Sequence, residues 1–524
     1  MNTANRRRFT LLAMSIAQGM IMVDITIVNT ALPAIQRSLQ MSAGSLEWVI
    51  SAYALSLAAL IPLGGALGDR YGRKRLFLLG LLCFGVGSVA CALSASDAAL
   101  IASRAAQGVG GAVMTALTLA ILTDAYPADE RPGAIGVWAA IGGLGFGLGP
   151  VAGGLLLSVL SWPAVFWVNV PITAVGVVVA AVYVEDSRSR EHRPLDLVGA
   201  LTCAIGLLLL TFGLIESSSY PWVSPQVAGS LGLGMALLVA FGLWEEHTPW
   251  PMLPMRLLKA RSLATGCGVY LLAYLAWAGV MFYVTLLYQN VDGWSALRTG
   301  VSWLAMNVPF LVVAQFAGRL QERISSRWVM TVGCLTGAAG VAGLASVAPS
   351  SPFVLTGVWY VLAGVGYGML APAVASAAMR DVPSAVAGAA SGLLSATRQV
   401  GTSVGLAVIG AIGAAAATAD WTSEVGAVPP ALRPAADGLA QHVAAAQLGL
   451  ITATLGDAYW QPAADAFLHG YRVALAVAGG CILVAAVVAI VGLAGAPRHA
   501  LRATNKTHGV RVSRGRSQLS ARRS

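Results

Sequence analysis

Asp24 is the residue of this chain whose position most invites chemistry. It lies in the run Phe9–Ala34, which contains no other charged side chain. A carboxylate in so apolar a run is expensive unless it is protonated, paired with a cation or facing water. Arg104 stands in a second charge-poor run, 99–123. If both runs are helices crossing a membrane, Asp24 lies about 13 Å and Arg104 about 8 Å below the same surface, a similar depth. Burial favours the neutral form of the acid and a nearby guanidinium favours the charged form, so access to either water phase switches the charge. The chemistry expected is reversible protonation; a fixed ion pair between helices is the alternative. Gln107, Gly108, Gly111, Thr115 and Thr118 continue from Arg104 at helical spacing. Such a polar, small-residue stripe does not face lipid cheaply and is expected to line a cavity. Arg398 reaches the same depth from a later run, where it either meets a polar or anionic ligand group, repels protons or packs.

The elements that must hold these residues follow from composition. Of 524 residues, 57% are hydrophobic and 10% charged, against about 25% charged in an ordinary soluble domain. Mean hydropathy is +0.75. This excludes a set of water-exposed globular domains and predicts an all-α polytopic membrane protein. Splitting the sequence at charges, prolines and turn clusters gives fourteen spans near 10–33, 46–67, 76–95, 99–123, 133–160, 164–184, 196–216, 226–244, 263–289, 299–320, 328–348, 352–379, 386–416 and 468–495. Asp24 is then the one carboxylate deep within a span.

The cations test this division. Arg37, Arg298 and Arg433 fall on loops of one side and Arg104, Arg398 and Arg472 within spans; the other 26 of 32 Lys and Arg fall on the side of the N-terminus. That asymmetry puts both termini in the cytoplasm. The run after Arg6-Arg7-Arg8 is too long for a signal-peptide core and reads as an uncleaved first span. Six cysteines sit in apolar segments with no C-x-x-C pair, as buried free thiols do.

A repeat is also legible. Gly65-Ala66-Leu67-Gly68-Asp69-Arg70 is echoed by Gly318-Arg319-Leu320-Gln321-Glu322-Arg323, and Gly108-Val109-Gly110, Pro127 and Gly136 by Gly364-Val365-Gly366, Pro383 and Gly392. Both echoes come roughly 255 residues later, which implies two duplicated six-helix halves with two further spans between them.

Four motifs carry a family resemblance. Gly65-x-Leu67-Gly68-Asp69-Arg70-Tyr71-Gly72-Arg73-Lys74 resembles the signature loop of the major facilitator superfamily, departing at Gly68. Gly145-Phe146-Gly147-Leu148-Gly149-Pro150-Val151-Ala152-Gly153-Gly154 is similar to its antiporter motif, and Leu100-x-x-x-Arg104-Ala105-Ala106-Gln107-Gly108 to its proton-transfer motif. Asp24-Ile25-Thr26-Ile27-Val28-Asn29-Thr30-Ala31-Leu32-Pro33 looks like the first-span signature of its fourteen-helix drug:proton antiporters. Trp48, Tyr53, Phe166, Asn169, Pro171 and the run Arg398-Gln399-x-Gly401 fit the same family, while Pro163 departs from it.

The resemblance implies a major facilitator fold: a six-helix bundle over 1–184, two inserted helices and linkers over 185–262, and a second bundle over 263–496. An outer loop near 417–467, with a short amphipathic helix near 435–455, and a basic cytoplasmic tail over 497–524 complete the division. It implies a monomeric multidrug exporter in the cell membrane, exchanging lipophilic cationic or neutral compounds for protons by alternating access. No cofactor is needed beyond the proton motive force, and no metal or nucleic-acid partner is expected. Asp24 and Arg104 would couple to protons, and a cationic drug would compete for Asp24. Gln107, Thr115, Arg398, Tyr274 and Trp277 would line the cavity, with Tyr270, Met281, Tyr283, Trp303 and Met306 as further apolar candidates. Asp69, Arg70, Arg73 and Asp124 would form a cytoplasmic latch. Gly145, Gly149, Pro150, Gly153 and Gly154 would mark export. An importer or a carrier of an endogenous metabolite is the alternative. An enzyme is not expected, since neither H-E-x-x-H nor a P-loop lysine occurs.

Overall fold

The computed structural model describes residues 3–127, 130–186, 196–217, 220–251, 253, 255–349, 351–382, 387–425 and 429–494. Its helices are α1 (Thr3–Leu39), α2 (Ala43–Tyr71), α3 (Arg73–Ala92), α4 (Asp97–Ala125), α5 (Arg131–Val159), α6 (Ala164–Trp167), α7 (Asn169–Tyr183), α8 (Leu197–Glu216), α9 (Pro225–His247), α10 (Arg261–Leu286), α11 (Ala296–Ser302), α12 (Leu304–Arg323), α13 (Ser326–Ala345), α14 (Phe353–Met379), α15 (Ala387–Val425), α16 (Arg433–Gly438), α17 (Ala440–Ala444), α18 (Leu448–Leu455) and α19 (Trp460–Gly492). Among the described residues, fourteen helical stretches are long and apolar enough to cross a membrane. A helix meets the need to satisfy every backbone amide in hydrocarbon within its own segment. Serine side chains close several starts: Ser42, Ser96, Ser224 and Ser295 accept from the amides of Ser45, Ala99, Val227 and Arg298.

Lipid-facing surface is recognisable from apolar residues left exposed at helical spacing. Leu79, Leu82 and Val86 on α3, Val175, Val178 and Val182 on α7, and Val484, Val487 and Val491 on α19 form such stripes. In water, exposed apolar patches of this kind would drive association; against acyl chains they cost nothing.

The helices fall into two groups, α1–α7 and α10–α19, with the hairpin α8–α9 between them and α8 seated against both α2 and α15. The sequence repeat has a packing counterpart. In α4, Gly108 lies against Tyr53 of α2 and Gly110 against Phe84 of α3; in α14, Gly364 lies against Met306 of α12 and Gly366 against Gly337 of α13. Each group thus lays a Gly-x-Gly on its second and third crossing. Of the echoes, Gly318 and the residues to Arg323 close α12, while Pro383 and the side chains of Arg319 and Glu322 lie outside the described residues.

α1 begins and α19 ends on one face of the bundle, here the proximal side. On the opposite, distal side the two groups are bonded together. Gln289 Nε2 donates to Thr30 O at 2.9 Å and Asn290 Nδ2 to Gln36 Oε1 at 3.0 Å. Over this seam sits a cap built from the segment expected to be a loop. α15 continues to Val425 and α19 starts at Trp460, and the single amphipathic helix expected near 435–455 is three short ones, α16–α18. Trp421 explains the extra helix: its buried indole donates to Ala436 O at 2.9 Å, drawing the end of α15 under the cap. Gln36 Nε2 donates to Ala445 O at 3.2 Å and Gln447 Nε2 to Met41 O at 2.7 Å, tying the cap to the first group. On the proximal side, Gly136 of α5 and Gly392 of α15 have nothing within 4 Å of where a Cβ would stand. The basic tail lies outside the described residues.

Candidate functional site

Asp24 of α1 is fully buried and accepts three hydrogen bonds. Arg104 Nη1 donates to Oδ2 at 2.7 Å, while Gln107 Nε2 and Asn169 Nδ2 donate to Oδ1 at 2.8 and 3.0 Å. A guanidinium and two amide N–H groups converging on one carboxyl form the arrangement a buried carboxylate needs. Arg104, 1% exposed, is itself held from all sides. Its Nε donates to Val49 O at 3.1 Å and its Nη1 also to Gln107 Oε1 at 2.7 Å. Its guanidinium lies 4.2 Å from the Tyr53 ring centroid and 5.8 Å from that of Phe166. Ser88 of α3 stands behind, accepting from Asn169 Nδ2 at 3.1 Å and donating to Phe166 O at 2.9 Å.

Five crossings therefore meet at one buried carboxyl, and glycines let them. A Cβ on Gly108 would stand 2.7 Å from Tyr53 O, and one on Gly87 would stand 2.7 Å from Gln107 Cα. Without those side chains α4 closes on α2 and α3, and Arg104 reaches the Val49 carbonyl. Of the sequence-derived candidates, Asp24, Arg104 and Gln107 come together. Asn169 was legible only as a family-like residue, and Ser88 gave no signal beyond being a hydroxyl in an apolar span. Both are members of the network.

Other candidates sit elsewhere. Thr115 Oγ1 donates to Gly111 O of its own helix at 2.8 Å and does not join the network. A small cavity between the two groups is lined by Tyr53, Leu57 and Arg104 on one side and Gln399 and Thr402 on the other. The Asp24 pair thus borders the central space through Arg104 and Tyr53, and Asp24 itself is sealed behind them. Arg398 is half-buried, 5.5 Å from the Tyr274 ring centroid, and makes no ion pair among the described residues. Tyr274 is in edge contact with Tyr270 at 5.5 Å. Trp277 is packed between Phe146 of α5 and Tyr367 of α14, at 5.7 and 4.5 Å. Met281, Tyr283, Trp303 and Met306, read as cavity candidates, are buried in the core of the second group. Their apolar surface faces neighbouring helices, which sequence alone does not distinguish from a cavity wall.

The glycines of α5 divide by partner. Gly145, Gly149 and Gly153 lie against Gly19, Thr26 and Ile27 of α1, whereas Gly154 lies against Ala296 and Leu297 of α11 and the Pro150 carbonyl against Gly300. One helix therefore packs on its own group with one face and seals the distal seam with the other.

At the proximal end, Gly72 alone separates α2 from α3. Its φ of +109° is a conformation that favours glycine, and a Cβ there would stand 2.6 Å from the Asp186 carboxylate. Arg73 Nη1 pairs with Asp124 Oδ2 at 2.5 Å. Arg70 is exposed, 5.4 Å from the Tyr71 ring centroid. The side chain of Asp69 lies outside the described residues. The ion pair found here joins helices of one group.

A further buried carboxylate lies at the start of α2, where the sequence does not mark it. Glu47, the second residue of the span read as 46–67, is only 3% exposed. α2 starts earlier than expected, at Ala43, and the cap covers its first turns.

The sequence pattern of the Major Facilitator Superfamily matches residues 14–406. A tetracenomycin C resistance and export protein of Streptomyces glaucescens is 32% identical over 393 residues, covering 75% of this chain and 73% of that one. The multidrug resistance protein Stp of Mycobacterium tuberculosis is 34% identical over 399 residues, with the same coverages. Among solved structures, a bacterial homologue of the human lysosomal transporter Spinster, in an inward-facing and unoccupied conformation, superimposes with a TM-score of 0.64 at 18% identity, covering 93% of this chain and 97% of that one.

Proposed function

The chain belongs to the Major Facilitator Superfamily, and from that premise we propose that it is a proton-coupled exporter of drug-like molecules, working by alternating access across the cell membrane. Relatives named for antibiotic resistance and export support the substrate class and direction. The proximal side is the cytoplasmic one, in keeping with the Lys and Arg distribution.

The observation that carries the mechanism is the buried Asp24–Arg104 pair with its two amide donors. When the distal side opens, a proton reaching Asp24 cancels the charge that holds Arg104. The guanidinium is then released toward the central cavity it already borders. When the molecule closes distally, Arg104 re-forms the pair and the proton leaves on the cytoplasmic side. The membrane potential drives this transfer by about 2.3 kcal/mol per charge per 100 mV. Because Asp24 is sealed behind Arg104 and Tyr53, substrate acts on it through those two residues rather than by touching it in this state. Arg398, Tyr274 and Gln399 face the substrate from the second group. Arg73 and Asp124, with Asp69 and Arg70, brace the cytoplasmic ends, and the protein acts as a monomer.

The test is transport by purified protein in liposomes under an imposed pH gradient. Substrate moves opposite to protons in the native chain; Asp24→Asn, at equal protein level, loses at least tenfold of the gradient-driven rate. Undiminished proton-driven export by Asp24→Asn would remove Asp24 from the mechanism, and co-movement of substrate and protons would reverse the direction.

A further inference from the structure

Glu47 of α2 is buried at the distal seam, and its carboxyl lies flat against Gly410 of α15, where a methyl group would overlap it. The contact crosses from one group of helices to the other. Among the described residues, Glu47 makes no hydrogen bond and no ion pair, and its Oε2 has neither water access nor a partner. One turn further along α2, the Ser51 hydroxyl is equally without a partner.

The groups around Glu47 offer it no cation. Arg104, from α4, is turned to Asp24 and the Val49 carbonyl, and Asp97 of α4 accepts from Ser45 Oγ at 3.1 Å. Tyr283 of α10, beside Glu47, donates its hydroxyl to Gly410 O at 3.2 Å. His442 of α17 is engaged with Gln447 Oε1 at 2.5 Å. Along α15, Arg398 and Asp420 stand about 18 and 15 Å to either side of Gly410. The one acid of α8, Glu216, adds only negative charge. A carboxylate here would be a buried charge without a counter-charge, which is far costlier than the neutral acid.

Resting on the reading of the chain as an alternating-access transporter, we propose that Glu47 is a second proton-binding site, filled from the extracellular side as the distal seam closes. Parting α2 from α15 would expose the carboxyl to external water, where it ionises. Closing the seam takes up one proton onto the carboxyl, and reopening returns it to the same side. Glu47 therefore adds nothing to the number of protons exchanged. It makes the closed state easier to reach in external acid and harder to reach as external pH rises.

Hydrogen exchange of the full-length chain in lipid tests this without measuring transport, so its outcome is separable from that of the export assay. Protection of the cap, 433–455, is read against external pH and corrected for intrinsic exchange. Three chains are compared: native, Asp24→Asn, and Asp24→Asn with Glu47→Gln. The Asp24→Asn chain gains cap protection as pH falls, by up to about tenfold per unit for one linked proton, whereas in the native chain the proton that Asp24 takes up on opening offsets that gain. The third stays protected at every pH. Glu47→Met, which fills the site with an apolar chain, gives the same flat profile and serves if the amide variant does not accumulate. A flat profile in the Asp24→Asn chain, or an unchanged slope when Glu47 is replaced, overturns the proposal.

Discussion

Asp24 shows how far a single residue can be read. Its isolation in an apolar run and the matching depth of Arg104 foretold the pair, and the two meet at 2.7 Å. Asn169 and Ser88 were not foretold as partners, because nothing in their spacing says which helix they face. Their place in the network makes a graded prediction. Arg104→Ala leaves a buried carboxylate without its cation, a change that costs about 3–5 kcal/mol when one partner of a buried pair is removed. The melting temperature of the purified protein should fall clearly. Asp24→Asn with Arg104→Gln removes both charges and should recover much of that loss. Asn169→Leu forfeits the bonds to Asp24 and to Ser88. It should slow proton-driven transport severalfold while substrate still binds, measured as rate against binding in the same preparation.

At the scale of the elements, glycine decides where helices touch. Gly108 and Gly136 belong to the same repeat signal, yet the structure separates them. A Cβ at Gly108 would press on the α2 backbone, whereas at Gly136 it would meet nothing within 4 Å. Gly108→Ala should therefore destabilise by about 1–3 kcal/mol, the usual cost of overpacking, and displace Arg104 from the Val49 carbonyl. Gly136→Ala should leave the melting temperature unchanged or slightly raised, since alanine favours helix over glycine. Thermal unfolding of the two variants side by side decides this. The aromatic residues of α10–α12 carry the opposite lesson. Trp303 and Met306 have the composition of a ligand-binding wall and are core, because a helix buried on most faces looks the same in sequence whether a cavity or another helix lies opposite.

For the whole molecule, the distal seam is the part that the proposed alternating-access cycle must break. It is held by Gln36, Gln289, Asn290 and the cap, with Gly154 and Pro150 of α5 packed on α11. Cysteines at Gln36 and Asn290, joined by a short reducible cross-linker, should trap the closed side. Transport in liposomes should stop, binding from the cytoplasmic side should persist, and reduction should restore export. Persistence of transport in the cross-linked protein would show that the seam need not part there.

Sequence by itself determined the class of molecule, the fourteen crossings, the repeat and the depth of the buried charges. These follow from hydropathy, charge and local periodicity, which each segment carries on its own. Tertiary structure decided which faces meet: that Asp24 is enclosed by five crossings, that Thr115 is turned away, and that a presumed loop folds into a cap. It also decided that Glu47, near a helix end, is buried almost as deeply as Asp24. Burial of that kind belongs to the seam between two halves distant in sequence, and no local pattern encodes it.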